Sequence, residues 1–196
     1  RHFYGKMMAL CDRVITTTQT LKEELENYSS EVIINRNLAS EELVRLSQET
    51  LKDYTQDSSK IKIGYFSGSI THNENFEMIK PAIMQILEKY PHVELHLVGY
   101  IDLPQDLKKY TEQIIMNDYV DWKDLPRLIS QMDINLAPLV DSVFNRAKSE
   151  IKWLEAALVK VPTVASHLGS FEEMINNDET GILAQTDEWY EKLEVL

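Results

Sequence analysis

The chain has 196 residues, of which 43% are hydrophobic and 27% are charged. This is the composition of an ordinary globular protein, long enough for one well-buried domain or for one domain plus part of another. The formal net charge of −12 argues against a general binder of nucleic acid or of anionic membranes, because no basic field attracts such a partner.

Short apolar strands alternate with helical segments along almost the whole chain. Strands are predicted from the β-branched and apolar runs at 12–18, 31–35, 61–67, 93–99, within 114–122, and at 133–139, 162–166 and 181–184. Helices are predicted at 19–28, 40–54, 75–90, 106–113, 124–132, along the stretch 145–162, and at 170–177 and 186–196.

This alternation predicts an α/β fold with a Rossmann-like, doubly wound parallel sheet that helices cover on both faces. In such sheets ligands bind beyond the carboxyl ends of the strands, where the N-termini of helices point. The loops that follow the strands are therefore the places to look for a site.

The only cysteine is Cys11, which excludes a disulfide framework and a cysteine-based metal site and predicts a reducing, cytoplasmic environment. No apolar run approaches the roughly 18 residues of a membrane-spanning helix, and no signal-peptide pattern is present, so we expect no integral membrane segment. Because the chain opens on Arg1 and ends at Leu196 within a predicted helix, we interpret it as a piece of a longer polypeptide.

The loop after the strand at 61–67 carries Ser67, Gly68 and Ser69. The glycine lets the backbone come close to a ligand, the serines add hydroxyl donors, and the following helix directs free N–H groups at this loop. The loop has neither the GxGxxG pattern nor that of a P-loop, and a polar turn with a capped helix entry explains it equally well. We expect His72 to be exposed.

A second polar loop, 139–150, contains Asn145, Arg146, Lys148 and Ser149. Asn145 and Ser149 fit the role of helix caps. The four residues also place several donors at the positive end of a helix, where the dipole and charge-assisted hydrogen bonds stabilise a pyrophosphate.

On one continuous helix over 145–162, Lys148, Lys152 and Glu155 form a stripe about a quarter turn from an apolar face, which consists of Ala147, Ile151, Leu154 and Leu158. The two lysines repel each other, so an anion is expected nearby. Glu155 itself is one candidate, as an exposed helical ion pair with Lys152, and a bound phosphate is the other. In the second case Glu155 can accept hydrogen bonds from the diol of a ribose.

Several of these segments resemble a known family. "IGYFSGSITHNENF", "DYVDW" and "NRAKSEIKWLEAALVKVPTVAS" resemble the donor-binding half of retaining GT-B glycosyltransferases, the large nucleotide-sugar family numbered four. "CDRVITTTQTLKEEL" and "EVIINRN" resemble the closing segment of the acceptor-binding half. The resemblance therefore divides the chain into 1–38, the end of the N-terminal half with a linker, and 39–196, a C-terminal donor-binding domain truncated at its end.

The resemblance implies roles for individual residues. Glu155 would hold the donor ribose, and Ser67 to Ser69 would lie beside the donor phosphates. The segment "YVDW" would recognise the nucleobase, with Val120 and Trp122 as neighbours of the base, although Trp122 is equally reasonable as a core aromatic residue.

The sequence departs from the family pattern at two points. Many members carry a second glutamate eight residues before the ribose-binding one, where this chain has Ala147. Members also place an arginine and a lysine in the loop after the first strand, which here has neither. We hypothesise that Lys148, with Arg146, supplies that charge, so that Lys148→Ala would weaken the binding of a nucleoside diphosphate; unchanged affinity would favour the ion pair.

The resemblance implies that the chain binds a nucleoside-diphosphate sugar as donor substrate and that the whole enzyme transfers the sugar to an acceptor, in glycan or polysaccharide assembly. It implies no cofactor and no metal, and no Asp-x-Asp motif is present. Catalytic residues stay unassigned. The acceptor, a glycan or another molecule, would bind through the missing N-terminal half, so we expect the isolated chain to bind nucleotide and to be inactive in transfer.

Other functions remain open at this point. A sugar-nucleotide epimerase or a phosphorylase shares the architecture, although the acid/base residues of the one and the cofactor lysine of the other are not evident. A degenerate, non-catalytic nucleotide-binding or interaction domain is the alternative from another class. Nucleotide binding distinguishes among these possibilities.

Overall fold

A computed structural model describes residues 2–53, 59–68 and 73–196. The helices are His2–Met8 (α1), Gln19–Leu25 (α2), Glu41–Asp53 (α3), Asn73–Lys89 (α4), Leu125–Ile129 (α5), Val143–Arg146 (α6), Ile151–Leu158 (α7), Ser170–Met174 (α8) and Trp189–Glu194 (α9), with a 3-10 helix at Gln105–Gln113. The strands are Val14–Thr16 (β1), Val32–Ile34 (β2), Ile61–Ser67 (β3), Val93–Gly99 (β4), Ile114–Asn117 (β5), Ile134–Ala137 (β6), Thr163–Ser166 (β7) and Ile182–Ala184 (β8).

Over these described ranges, six strands form one parallel sheet in the order β5-β4-β3-β6-β7-β8. This is the strand order of a Rossmann-like sheet, in which the winding direction reverses between the first strand and the fourth, here β3 and β6. The predicted fold class is confirmed. The reversal point at the carboxyl ends of β3 and β6 is where such sheets bind ligands.

Successive side chains of β3 contribute to apolar clusters on the two faces of the sheet. Tyr65 belongs to an apolar cluster that includes Phe76 and Ile79 of α4. Its neighbour Phe66 belongs to a second cluster with Ala156 of α7, because successive side chains of a strand point to opposite faces. Burial on both faces explains why β6 and β7 are continuous apolar or small-residue runs.

The N-terminal strands β1 and β2 pair in parallel in a sheet of their own. Two hydrogen bonds join this region to the loop before α7: the Thr18 hydroxyl donates to the Ala147 carbonyl at 3.1 Å, and the Asn37 amide donates to the Ser149 hydroxyl at 2.8 Å. The division into 1–38 and 39–196 stays a prediction.

The continuous helix predicted over 145–162 is wrong. Helix α6 ends at Arg146 and α7 begins at Ile151, so that 147–150 form a loop. The Ala147 carbonyl, which a continuous helix would use for its own ladder, accepts the Thr18 hydroxyl instead. Lys148 therefore lies in a loop, and the predicted apolar face is only half-buried, whereas Ala156 is the fully buried residue of α7.

Two smaller differences concern other helices. The segment predicted as helical at 106–113 is a 3-10 helix, and α1 was not predicted. Helix α1 has seven residues, contains Gly5 and carries no acidic residue in its first turn, so it lacks the usual sequence signals of a helix start. In the described part of the chain, no helix is long and apolar enough to cross a membrane.

Gly99, at the end of β4, is predicted to be intolerant of any side chain. Its φ of +91° is a conformation that disfavours other residues, and an added Cβ would lie 2.1 Å from the Ser67 carbonyl oxygen. Gly99→Ala should therefore lower the free energy of unfolding by about 2 kcal/mol or more in urea titrations.

Gly68→Ala is the matched control, because a Cβ at Gly68 meets no described atom within 4 Å. We expect it to change the free energy of unfolding by less than about 0.5 kcal/mol. Equal stability of the two variants would contradict the close approach of β3 and β4 at Gly99.

Candidate functional site

A cavity of about 290 Å³ opens at the carboxyl ends of β3 and β4, beside α7. We call it the switch-point cavity; its lining residues are Phe66, Ser67, Gly68, Val98, Gly99, Tyr119, Val120, Trp122, Leu125, Ile151, Lys152 and Glu155. Its position agrees with the rule that ligands of such sheets bind at the carboxyl ends of the strands, and β3 is one of the two strands between which the winding direction reverses.

The base of the cavity is the junction of β3 and β4. The Ser67 hydroxyl donates to the Tyr100 carbonyl at 3.0 Å, and the Tyr100 amide donates to the Ser67 carbonyl at 3.0 Å. Gly99 allows this junction to form, because its missing side chain admits the Ser67 carbonyl. Gly68 follows β3 and lines the cavity, and no described atom lies within 4 Å of the position that a Cβ would occupy there.

One wall of the cavity is aromatic and open to solvent. Tyr119 and Trp122 are 56% and 46% exposed, and the ring of Tyr119 stacks on that of Tyr100 with centroids 5.1 Å apart. Exposed rings beside a cavity offer flat apolar surface for a planar group. Val120 lies in the same wall. The exposure of Trp122 shows that it is not a core residue.

Helix α7 also lines the cavity, with Lys152 and Glu155 among the lining residues. Among the ion pairs of the described residues, which have N–O distances of up to 4.0 Å, none joins Lys152 to Glu155. The exposed helical ion pair considered from the sequence is therefore not formed. Both residues are half-buried.

Lys152 is a cation in an unfavourable environment. Its Nζ atom lies 4.8 Å from the centroid of the Tyr65 ring, a cation–π contact that partly offsets the loss of water. Burial, with a contribution from the positive charge of Lys148, lowers the pKa of Lys152 to about 8, whereas Glu155 acts in the opposite direction.

Burial raises the pKa of the Glu155 carboxyl group, and the nearby charge of Lys152 partly opposes this effect. A half-buried carboxylate at the edge of a cavity can accept two hydrogen bonds from a ligand. The walls of the switch-point cavity thus combine an apolar planar surface with a carboxylate and an ammonium group.

Lys148 lies in the loop before α7, close enough to Lys152 for its charge to act on that residue. Its Nζ atom is buried, donates to no acceptor among the described residues, and lies 5.0 Å from the centroid of the Phe144 ring. Burial lowers the pKa of Lys148. Lys148 does not line the switch-point cavity, but its charge acts on Lys152.

The other residues predicted from the loop 139–150 have partners within the protein. The Asn145 amide donates to the Asn75 side chain at 3.1 Å and to the Val140 carbonyl at 2.8 Å, which uses both of its hydrogens. Ser149 accepts the hydrogen bond from Asn37. These two residues fasten the loop and do not line the switch-point cavity.

Arg146 forms a two-pronged ion pair with Asp141, at 2.6 and 2.5 Å, which lowers the pKa of that aspartate. The pair lies at a second, polar cavity of about 270 Å³ at the carboxyl ends of β6, β7 and β8. Its lining residues are Leu139, Asp141, Arg146, Ser166, His167, Leu168, Glu172, Ala184, Gln185 and Thr186. Arg146 is thus separated from the switch-point cavity.

The structure brings together the predicted residues Ser67, Gly68, Val120, Trp122 and Glu155 around one cavity. Ser69 and His72 lie outside the described residues. The sequence analysis did not assign Gly99 to the site, and it did not name Lys152 or Tyr119 individually as site residues. Lys152 does belong to the stripe with Glu155, and Tyr119 belongs to the segment "YVDW". For Gly99 the available signal was a glycine at the end of a strand.

Comparison with known families agrees with this geometry. The profile described as "Glycosyl transferases group 1" matches residues 61–196, which is more than half of the chain. The chain belongs to this family of glycosyl transferases. No curated protein matches this glycosyl transferase in sequence.

Solved structures of low sequence identity share the fold of this group 1 glycosyl transferase. Sucrose-phosphate synthase of Thermosynechococcus elongatus aligns over 99% of this chain and 51% of its own with a TM-score of 0.70 and 15% identity. HepE of Anabaena, solved with UDP and glucose, aligns over 99% and 55% with a TM-score of 0.65 and 16% identity.

WaaG, a glycosyltransferase involved in lipopolysaccharide biosynthesis, aligns over 92% of this chain and 52% of its own, with a TM-score of 0.67 and 13% identity. This group 1 glycosyl transferase chain therefore spans about half the length of these structures. At such identities the comparisons establish the architecture, one Rossmann-like half of a GT-B glycosyltransferase.

Replacing Lys152 by methionine is predicted to stabilise this glycosyl transferase chain by about 1–3 kcal/mol near neutral pH, because methionine fills similar space without a buried charge. The folded chain releases the Lys152 proton near pH 8, whereas the unfolded chain keeps it until about pH 10.5. The contribution of Lys152 to the free energy of unfolding therefore rises with pH between those values.

Urea unfolding at several pH values checks this prediction. The advantage of the Lys152→Met variant should be greatest below about pH 8 and should decrease above it. A variant that is less stable than the wild type at all these pH values would contradict the unfavourable environment of Lys152.

Proposed function

We propose that this chain is the nucleotide-sugar-binding, C-terminal half of a retaining GT-B glycosyltransferase of the family-four type. The observation that supports this most directly is the switch-point cavity, which is lined by exposed aromatic rings, by Glu155 and Lys152, and by the ends of β3 and β4. A nucleoside diphosphate has a planar base, a vicinal diol and a charged diphosphate, and the cavity offers a complementary group for each.

In this proposal the nucleobase packs in the wall that contains Val120 and Trp122, close to the ring of Tyr119. The Glu155 carboxylate accepts hydrogen bonds from the two ribose hydroxyls, a task for which two carboxylate oxygens are well suited. The diphosphate then lies by Ser67 and Gly68, where the absent side chain of Gly68 admits a close approach.

In the whole enzyme the sugar leaves its nucleoside diphosphate and is joined to an acceptor held between the two halves. The chain's own residues position the donor and stabilise the charge that develops on the leaving diphosphate. The segment 1–38 would be the end of the acceptor-binding half, so that the isolated chain binds nucleotide but does not transfer sugar. The presence of UDP and glucose in the HepE structure supports UDP as the first nucleotide to test.

A second candidate is a degenerate half that binds nucleotide without catalysis. It is favoured by Ala147, which occupies the place of the second family glutamate, and by the absence of arginine and lysine from the segment 68–76. Transfer by the full-length protein distinguishes the two, because both candidates bind nucleotide and only the first transfers sugar.

The test is calorimetric titration of the chain with UDP, GDP, dTDP and ADP. We predict a clear preference for one diphosphate and a loss of roughly tenfold or more in its affinity in Glu155→Ala, since the ribose loses a charge-assisted acceptor. The matched control is Glu191→Ala, because Glu191 is exposed on α9 and away from the cavity.

Binding that is equally weak for all four nucleotides, in the chain and in the full-length protein, would contradict the proposal. Binding that Glu155→Ala and Glu191→Ala affect equally would remove the role assigned to Glu155.

A further inference from the structure

Two ammonium groups at the switch-point cavity have no anionic partner: that of Lys152, which lines the cavity, and that of Lys148 in the preceding loop. Lys152 faces the cavity and forms no ion pair among the described residues, and the Nζ atom of Lys148 is buried without a hydrogen-bond acceptor in the same part of the chain. Folded proteins rarely bury a charge without a partner, because the loss of water is not compensated. Two such charges that repel each other are more costly still.

Aromatic rings are the groups that the protein does supply. Lys152 lies over Tyr65, and Lys148 lies over Phe144, at 4.8 and 5.0 Å from the ring centroids. A cation–π contact offsets only part of the cost of burying an ammonium group. The arrangement is therefore incomplete in the free chain, and an anion in the cavity would complete it.

Other cations near the cavity are accounted for. Arg146 is paired with Asp141 at the second cavity, and Lys123 is exposed, with its Nζ atom 5.7 Å from the centroid of the Trp122 ring. The segment 68–76, which follows β3, contains no arginine or lysine. Lys152 is thus the cationic side chain among the lining residues that an anion at the ends of β3 and β4 would meet.

We propose that Lys152 binds the diphosphate of the donor directly, and that Lys148 strengthens this interaction as a second positive charge behind it. This inference rests on the proposed function. It identifies Lys152 and Lys148 as the groups that replace the arginine and lysine that family members carry in the loop after β3. It departs from the hypothesis made from the sequence, in which Lys148, with Arg146, supplied the positive charge for the diphosphate. In the present proposal Lys148 acts on the diphosphate only through its electrostatic field. Arg146, which is paired with Asp141, does not take part.

The proposal implies that diphosphate binding depends on pH. The charges that act on Lys152 are those of Lys148 and of Glu155 on the same wall, while the Tyr65 phenol of β3, whose pKa burial raises, stays neutral. Helices α3 and α5 also pack against α7, and the described charges that shift the pKa of Lys152 include none of theirs. Because the free lysine loses its proton near pH 8, affinity for UDP should fall as the pH rises above about 8.

The experiment is a set of NMR titrations with UDP and with uridine, which also measure weak binding. In Lys152→Met the affinity for UDP should fall about 10- to 100-fold, whereas that for uridine should change less than about twofold, since only the diphosphate loses a charge-assisted contact. Lys148→Met should give a smaller loss, of about three- to tenfold, again for UDP alone. If the chain prefers another base, the corresponding diphosphate and nucleoside are used.

The matched control is Lys108→Met, which removes the same charge from an exposed position of the 3-10 helix. It should leave both affinities unchanged, and the decrease in UDP affinity above about pH 8 should persist in it and vanish in Lys152→Met.

The outcomes separate this inference from the proposed function. Wild-type chain that binds neither UDP nor any of the other diphosphates overturns both. The inference alone is overturned if the wild-type chain binds a diphosphate and Lys152→Met binds it equally well. It is also overturned if Lys152→Met loses affinity for the diphosphate and for the nucleoside to the same degree. Should Lys152→Met not fold, Lys148→Met and the pH dependence of the wild type decide in the same way.

Discussion

The position of one ammonium group connects the fold of this chain to its site. Lys152 lies half-buried over Tyr65, at the point where the winding direction of the sheet reverses, and no carboxylate lies within ion-pair distance of it in the part of the chain that is described. A core designed only for stability would use an apolar residue there. Its presence is explained when an anionic ligand supplies the missing partner.

The rest of the structure holds this arrangement in place. The parallel strands β3 and β4 end together because Gly99 admits the Ser67 carbonyl, so that Ser67 and Gly68 face α7 across a narrow cavity. Hydrogen bonds from Thr18 and Asn37 hold the loop between α6 and α7. Lys152 and Glu155 thereby reach the cavity one helical turn apart.

The periodicity of the sequence was sufficient for the fold class and for most elements, because alternating strands and helices have few arrangements. Ser67, Gly68, Val120, Trp122 and Glu155 were predicted as one site and lie around one cavity. The roles of Arg146 and Asn145 depend instead on Asp141 and Asn75. Those of Lys148 and Lys152 depend on the helix break at 147–150, where the Thr18 hydroxyl donates to the Ala147 carbonyl. Such tertiary hydrogen bonds leave no local pattern in the sequence.

A crystal structure of the chain with UDP tests the central claim most directly. The account predicts the uracil ring in the wall of Val120 and Trp122, the ribose hydroxyls within hydrogen-bond distance of Glu155, and a phosphate oxygen within hydrogen-bond distance of the Lys152 Nζ atom. UDP bound in the polar cavity at the ends of β6, β7 and β8, with the switch-point cavity empty, would contradict it.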